Sequence, residues 1–240
     1  VSNVREMPLT MHLLNAKGAS YVDGWKDYQV CASYDRLVWF RVPTKWDGER
    51  LTIEHTPIHD SIHYAYFAPY SMERHGDLVA QAQCDDRVDL EILGQTLDGF
   101  DMDLLRICEG DPEGKKKVWI WARQHPGETM AEWLIEGLLE RLLDDEDPVG
   151  RDILRNAVLY VIPNMNPDGS FRGHLRCNAS GANLNREWVE PSMERSPEVF
   201  LVRKKMEEVG VDFGLDVHGD EALPYNFISG LEGIPSLSDK

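Results

Sequence analysis

The sequence predicts a mixed α/β fold: a largely parallel sheet with helices on both faces, preceded by a small antiparallel β module. Three features carry that expectation. Residues 1–68 read as short strands divided by turn formers, residues 69–240 alternate longer apolar strands with helical periodicity, and polar clusters follow directly on the ends of those strands. Alternating strands and helices imply parallel pairing under a helical cover, and ligands in such sheets sit beyond the carboxyl ends of the strands.

In the first module, "LVWFRV" (37–42) is apolar and aromatic, and "LTIEHT" (51–56) puts Leu51, Ile53 and His55 on one face. "SIHYAYFAPY" (61–70) continues the pattern, and "VPTKWDGE" and "HTPIHD" supply turns. His55, His59 and His63 are spaced by four, but in a strand–turn–strand context that spacing does not converge, so they are expected as surface histidines.

From Ser71 the pattern changes. "SMERHGDLVAQAQ" is a short helix opening on Ser71, and "DLEILGQTLDGFDMDLLRICEG" is two strands around a Gly/Asp turn. "EGDPEGKKK" suits either a linker or a hairpin turn, and "VWIWARQ" (118–124) is a buried-type strand. The next helix repeats Met130, Trp133, Leu134, Gly137, Leu138, Arg141 and Leu142 at steps of three and four, and "DDEDP" ends it. "AVLYVIPNMNPDG" is a strand running into an Asn/Pro/Gly loop. "SPEVFLVRKKMEEVG" is a helix with Ser196 as N-cap and Gly210 as C-cap, and "VDFGLDVHGDE" is a strand entering a polar turn.

Composition narrows the function classes. A net charge of −17 argues against nucleic-acid binding through a general basic surface. No apolar run approaches the roughly 20 residues that cross a bilayer, and the first residues show no signal-peptide pattern, so no membrane partner and a cytoplasmic location are expected. Cys31, Cys84, Cys108 and Cys177 are scattered without a C-x-x-C pair, as expected of reduced thiols in or near the core.

"RQHPGET" places His125 and Glu128 three residues apart between a strand and a helix. Imidazole and carboxylate suit zinc, whose catalytic sites use three protein ligands and keep one position open. The same residues also suit a turn in which Glu128 caps the helix. His218, 90 residues after Glu128 at the end of "GLDVH", can close a His₂Glu set, or it can be a hydrogen-bonded histidine in a turn. "NPDGSFRGHLRCNASGANLNREW" carries Arg172, Arg176 and Arg186 among Asn and Gly. A guanidinium fork there can bind a carboxylate or steady an oxyanion, and a solvated loop is the alternative.

The ordered set "HPGE", "NPDG…R…LNREW" and "DVHG" resembles the zinc metallocarboxypeptidase family of carboxypeptidase A. The fuller likeness, through "RQHPGET", "LNREW", "HGDE" and a "YFAPYS"-like segment, is to its cytosolic carboxypeptidase branch of bacterial type. The resemblance implies a carboxypeptidase-like sheet preceded by a small antiparallel β-sandwich domain, and one zinc ion held by His125, Glu128 and His218. It implies Arg176 as the residue that polarises the scissile carbonyl and steadies the oxyanion. Asn185 and Arg186 become the grip on the substrate's terminal carboxylate, while Arg172 has no assigned counterpart. The substrate implied is a peptide or protein C-terminal tail, with acidic (glutamate) ends favoured, as in deglutamylation.

Two departures stand out. The family's general-base glutamate and loop tyrosine lie well beyond the third ligand, whereas 22 residues follow His218 here. The expectation is a longer polypeptide in which the 1–68 module lacks its start and the 69–240 catalytic domain is incomplete at its end. Glu221 is not taken as the base, because "HGDE" occurs in branch members that also carry the later glutamate. Asn183 stands where many relatives have an Asp supporting a ligand histidine; an amide accepts the same bond but raises ligand basicity less. Two alternatives remain: a zinc deacylase of N-acyl amino acids, and a non-catalytic module that binds C-terminal tails. Oligomeric state is not legible in the sequence.

Overall fold

The computed structural model describes residues 1–223 and 225–230. The N-terminal module comprises β1 (Leu9–Leu13), β2 (Val30–Ser33), β3 (Phe40–Val42), β4 (Thr44–Trp46), β5 (Leu51–His55) and β6 (His63–Ala65). They form two three-stranded antiparallel sheets, ordered β1-β5-β4 and β3-β2-β6. Alternate residues of each sheet meet in one core, with Leu51 and Ile53 facing Val30, Ala32 and Val42. The expected strand at 37–42 begins only at Phe40, because the Asp35 carboxylate accepts from the amides of Leu37 and Val38 and holds them in a turn, leaving both side chains exposed. His55 bonds Tyr64, while His59 and His63 are exposed.

The remainder contains α1 (Met72–Ala82), β7 (Val88–Gln95), β8 (Asp101–Ile107), β9 (Lys116–Ala122), α2 (Thr129–Leu142), α3 (Pro148–Asn156), β10 (Ala157–Ile162), α4 (Pro167–Arg172), α5 (Pro197–Val209) and β11 (Phe213–Val217). Their sheet is ordered β11-β9-β10-β8-β7. β9 pairs in parallel with β10 and β11, and β8 runs against both of its neighbours, so it alone opposes the common direction among these five strands. "EGDPEGKKK" is therefore not a hairpin turn: β10 lies between β8 and β9, and the segment crosses the end of it.

Alternation along the strands splits the apolar residues between two faces. Ile120, Leu159 and Val161 meet Val79 of α1, Leu154 of α3 and the stripe Ala131, Ile135, Leu139 and Leu142 of α2. Trp119, Val158, Tyr160 and Ile162 meet Val199 and Val202 of α5, with Trp119 stacked on Tyr160 at 4.8 Å. Each fully buried aliphatic side chain contributes about 1.5–3 kcal/mol. The α2 stripe differs from the expected one. Leu134 is half exposed while Ile135 is fully buried, because apolar residues cover much of this helix and the sheet selects which of them it takes.

Caps follow the chemistry of the termini. The Ser71 hydroxyl accepts from the Arg74 amide at 3.1 Å and opens α1 as expected. Ser196 precedes α5 but makes no capping bond. "DDEDP" ends one helix and begins another unforeseen one: Asp147 accepts from Val149 and Gly150 at the start of α3, with Pro148 in its first turn. "NPDG" is likewise a helix start rather than a plain loop, with Asn166 Oδ1 accepting from Gly169 at 3.0 Å. Of the four cysteines, all free, Cys31 is buried, Cys108 and Cys177 are partly covered, and Cys84 is exposed, contrary to the expectation of thiols near the core. No described helix is long and apolar enough to cross a membrane.

Candidate metal centre

β9 and β11 are parallel neighbours in which Ala122 pairs with Val217, so the residues that follow each strand emerge side by side. This brings His125 and Glu128, from the β9–α2 connection, against His218. One donor atom from each lies within 4.8 Å of the others. Glu128 occupies the N-cap position of α2 yet makes no capping bond. Its carboxylate instead accepts from His125 Nδ1 at 2.7 Å, His218 Nδ1 at 2.8 Å and the Gly219 amide at 3.0 Å. The helix-capping alternative for Glu128 is thus not the arrangement adopted.

The outer ring nitrogens are also held. His125 Nε2 meets Asn183 Oδ1 at 3.0 Å, so the amide accepts where a carboxylate was the usual partner. His218 Nε2 meets Asp216 Oδ2 at 2.9 Å, and that oxygen also accepts from Gln124 Nε2 at 2.6 Å. Both rings therefore turn Nδ1 inward and Nε2 outward. Asp216 and Gln124 were missed in the sequence; the signal for Asp216 was strand alternation, which puts residues 216 and 218 on one face.

The electrostatics suit a cation. Burial works to raise the Glu128 carboxyl, but hydrogen bonds from both histidines and the Gly219 amide outweigh it and hold the group at about 2. Burial lowers His218, but Asp216 and Glu128 override it and lift the ring to about 9. Two carboxylates thus draw positive charge onto this spot. Two inward imidazole nitrogens and an ionised carboxylate oxygen are a donor set that fits a tetrahedral divalent ion with one position left open.

Close backbone packing fixes the loop. A Cβ on Gly169 would lie 2.4 Å from Pro126 Cγ, so α4 reaches the "HPGE" turn only because residue 169 is glycine. The Gly127 amide donates to Leu175 O at 2.9 Å, which ties the segment carrying Arg176 to the same turn. Arg176 is exposed, and its charge works to lower the Glu221 carboxyl, which burial raises overall. Asn185 Nδ2 lies 3.4 Å from His218 Nε2. Arg186 is exposed and donates to Asn185 O at 2.9 Å. Arg172 pairs with Asp98 and does not join the cluster.

Comparison with known proteins gives matching family models over most of the chain. Residues 1–67 match the cytosolic carboxypeptidase N-terminal domain, and residues 78–220 match zinc carboxypeptidase. A Zymomonas mobilis protein of unassigned function is 52% identical over 99% of this chain and 61% of its own length. A metallo-carboxypeptidase structure from Burkholderia cenocepacia is 49% identical with a TM-score of 0.92, covering 98% of this chain and 64% of that one. A Pseudomonas aeruginosa metallo-carboxypeptidase in complex with (2-guanidinoethylmercapto)succinic acid is 45% identical with a TM-score of 0.88, covering 94% and 60%. The chain thus spans about three fifths of the length of these relatives.

Proposed function

The chain belongs to the zinc carboxypeptidase family, and from that premise we propose that the protein hydrolyses the C-terminal peptide bond of peptides or protein tails. The observation that carries this reading is the convergence of His125, Glu128 and His218 at the carboxyl ends of two parallel strands. In this reading they hold one zinc ion. The chemistry zinc supplies when bound is Lewis acidity toward a carbonyl and a nucleophile drawn from water near neutral pH.

The chain's own side chains orient the substrate. Asn185 and Arg186 grip the terminal carboxylate, a role supported by the 3.4 Å approach of Asn185 Nδ2 to the His218 ring and by the bond from Arg186 to the Asn185 carbonyl. Arg176 steadies the oxyanion, supported by the bond that ties the preceding residue to the "HPGE" turn. Favoured substrates are tails ending in glutamate or another acidic residue. A cytoplasmic location is proposed from the description of the N-terminal family model.

The test is elemental analysis of the purified full-length protein with His125→Ala and Glu128→Ala. About one zinc per chain, lost in both variants, is expected. Release of glutamate from a peptide, compared with hydrolysis of an N-acyl amino acid, separates peptidase from deacylase. Zinc-free wild type after supplementation overturns the metal reading.

A further inference from the structure

Arg123 immediately follows β9 and has a left-handed backbone, φ 57°, a region costly for a non-glycine residue. The residue is almost wholly buried, at 3% exposure. Nε donates to the carbonyl of Pro126 at 3.1 Å, and Nη1 donates to Glu132 Oε2 at 2.6 Å and to the Tyr70 carbonyl at 2.9 Å. Pro126 lies between His125 and Glu128, and Glu132 sits one turn into α2 beyond Glu128. One side chain therefore closes the loop across both of these residues from below.

Glu132 is anchored independently. It is fully buried, its Oε1 meets His75 Nδ1 at 2.6 Å, and His75 Nε2 meets Asp103 Oδ2 at 3.0 Å. Asn164, from the segment after β10, approaches Glu132 Oε2 at 3.4 Å. The loop is thereby fastened to α1, α2, β8 and the segment after β10. A buried ion pair is weak evidence of stabilisation for its own sake, since an apolar pair of similar volume often does as well. A strained backbone that aims a buried fork at one loop carbonyl asks for a local explanation.

We infer that Arg123, paired with Glu132, is a positioning residue that fixes the spacing of His125 and Glu128 through the Pro126 carbonyl. The inference rests on the reading of those two residues as zinc ligands. Lysine at 123 keeps a charge for Glu132 but lacks the planar fork needed to hold Glu132 and Pro126 together.

The experiment titrates zinc into the metal-depleted full-length protein, wild type and variants, alongside the thermal midpoint without metal and the cobalt(II) absorption spectrum. Arg123→Lys is expected to bind zinc about 10–100-fold more weakly, with an altered cobalt spectrum. The double variant Arg123→Met with Glu132→Gln removes the unpaired charge. It is expected to recover the midpoint lost in Arg123→Met alone while zinc affinity stays down. Recovery of midpoint and affinity together, or wild-type affinity in Arg123→Lys, overturns the positioning role and leaves the ligand assignment standing. Absence of zinc binding in wild type overturns the ligand assignment, and this inference with it.

Discussion

His218 and Glu128 are 90 residues apart in sequence, and their side chains meet at 2.8 Å. The contact exists because β9 and β11 are adjacent parallel strands whose ends are level. Asp216, on β11 itself, lies on the far side of the His218 ring, and Asn183, from the segment between α4 and α5, lies on the far side of the His125 ring.

Asp216→Asn removes the anion behind His218 while keeping the shape of the side chain. Zinc affinity is expected to fall about 10–100-fold. Asn183→Asp restores a carboxylate behind His125 and is expected to tighten binding. Calorimetric titration with zinc reads both, and an unchanged affinity in both variants would show that the outer partners do not tune the site.

Gly169→Ala places a methyl 2.4 Å from Pro126 Cγ and 2.7 Å from both Asn166 Oδ1 and Cys177 O. Neither carbonyl nor ring can yield freely, so a loss of about 1–3 kcal/mol is expected in denaturant unfolding. Zinc affinity should fall with it. A variant as stable as wild type would mean that α4 is not pressed on the loop.

Glu198 is fully buried, with Asn178 as its side-chain donor. Burial, helped by the charges of Asp168 and Asp98, raises its carboxyl from 4.5 to about 7. A raised folded value means that the folded state holds the proton across this window. The associated stability is complete below pH 4.5 and is lost as pH rises through 7, on the order of 3 kcal/mol. Glu198→Gln is expected to flatten the fall between about pH 5 and 7 in thermal melts. An identical slope in wild type and variant would locate the titrating group elsewhere.

Asp147→Ala removes the cap of α3 and its ion pair with Arg141. A cost of about 1 kcal/mol is expected from the cap, and little from the exposed pair. Urea midpoints of Asp147→Ala, Asp147→Ser and Arg141→Ala separate the two, since serine keeps the cap and loses the charge. A loss in Asp147→Ser as large as in the alanine variant would assign the effect to the ion pair.

The sequence by itself determined the elements whose signals are local. Period-two alternation identified Leu51 and Ile53 as a buried face, a hydroxyl at Ser71 opened α1, and apolar runs marked β9 and β10. It also offered the ordered polar motifs that nominate His125, Glu128 and His218. Tertiary structure decided what depends on partners distant in the chain. It chose Ile135 over Leu134 for the core, because an apolar-rich helix has no unique inner face until a sheet packs on it. It placed β10 between β8 and β9, which no local pattern encodes. It turned Glu128 from a helix cap toward two imidazoles, and it brought Arg123, Glu132 and Asp216 into play. Hydrogen-bond partners in a folded site are fixed by strand order and loop closure, and residue types along one chain do not carry that information.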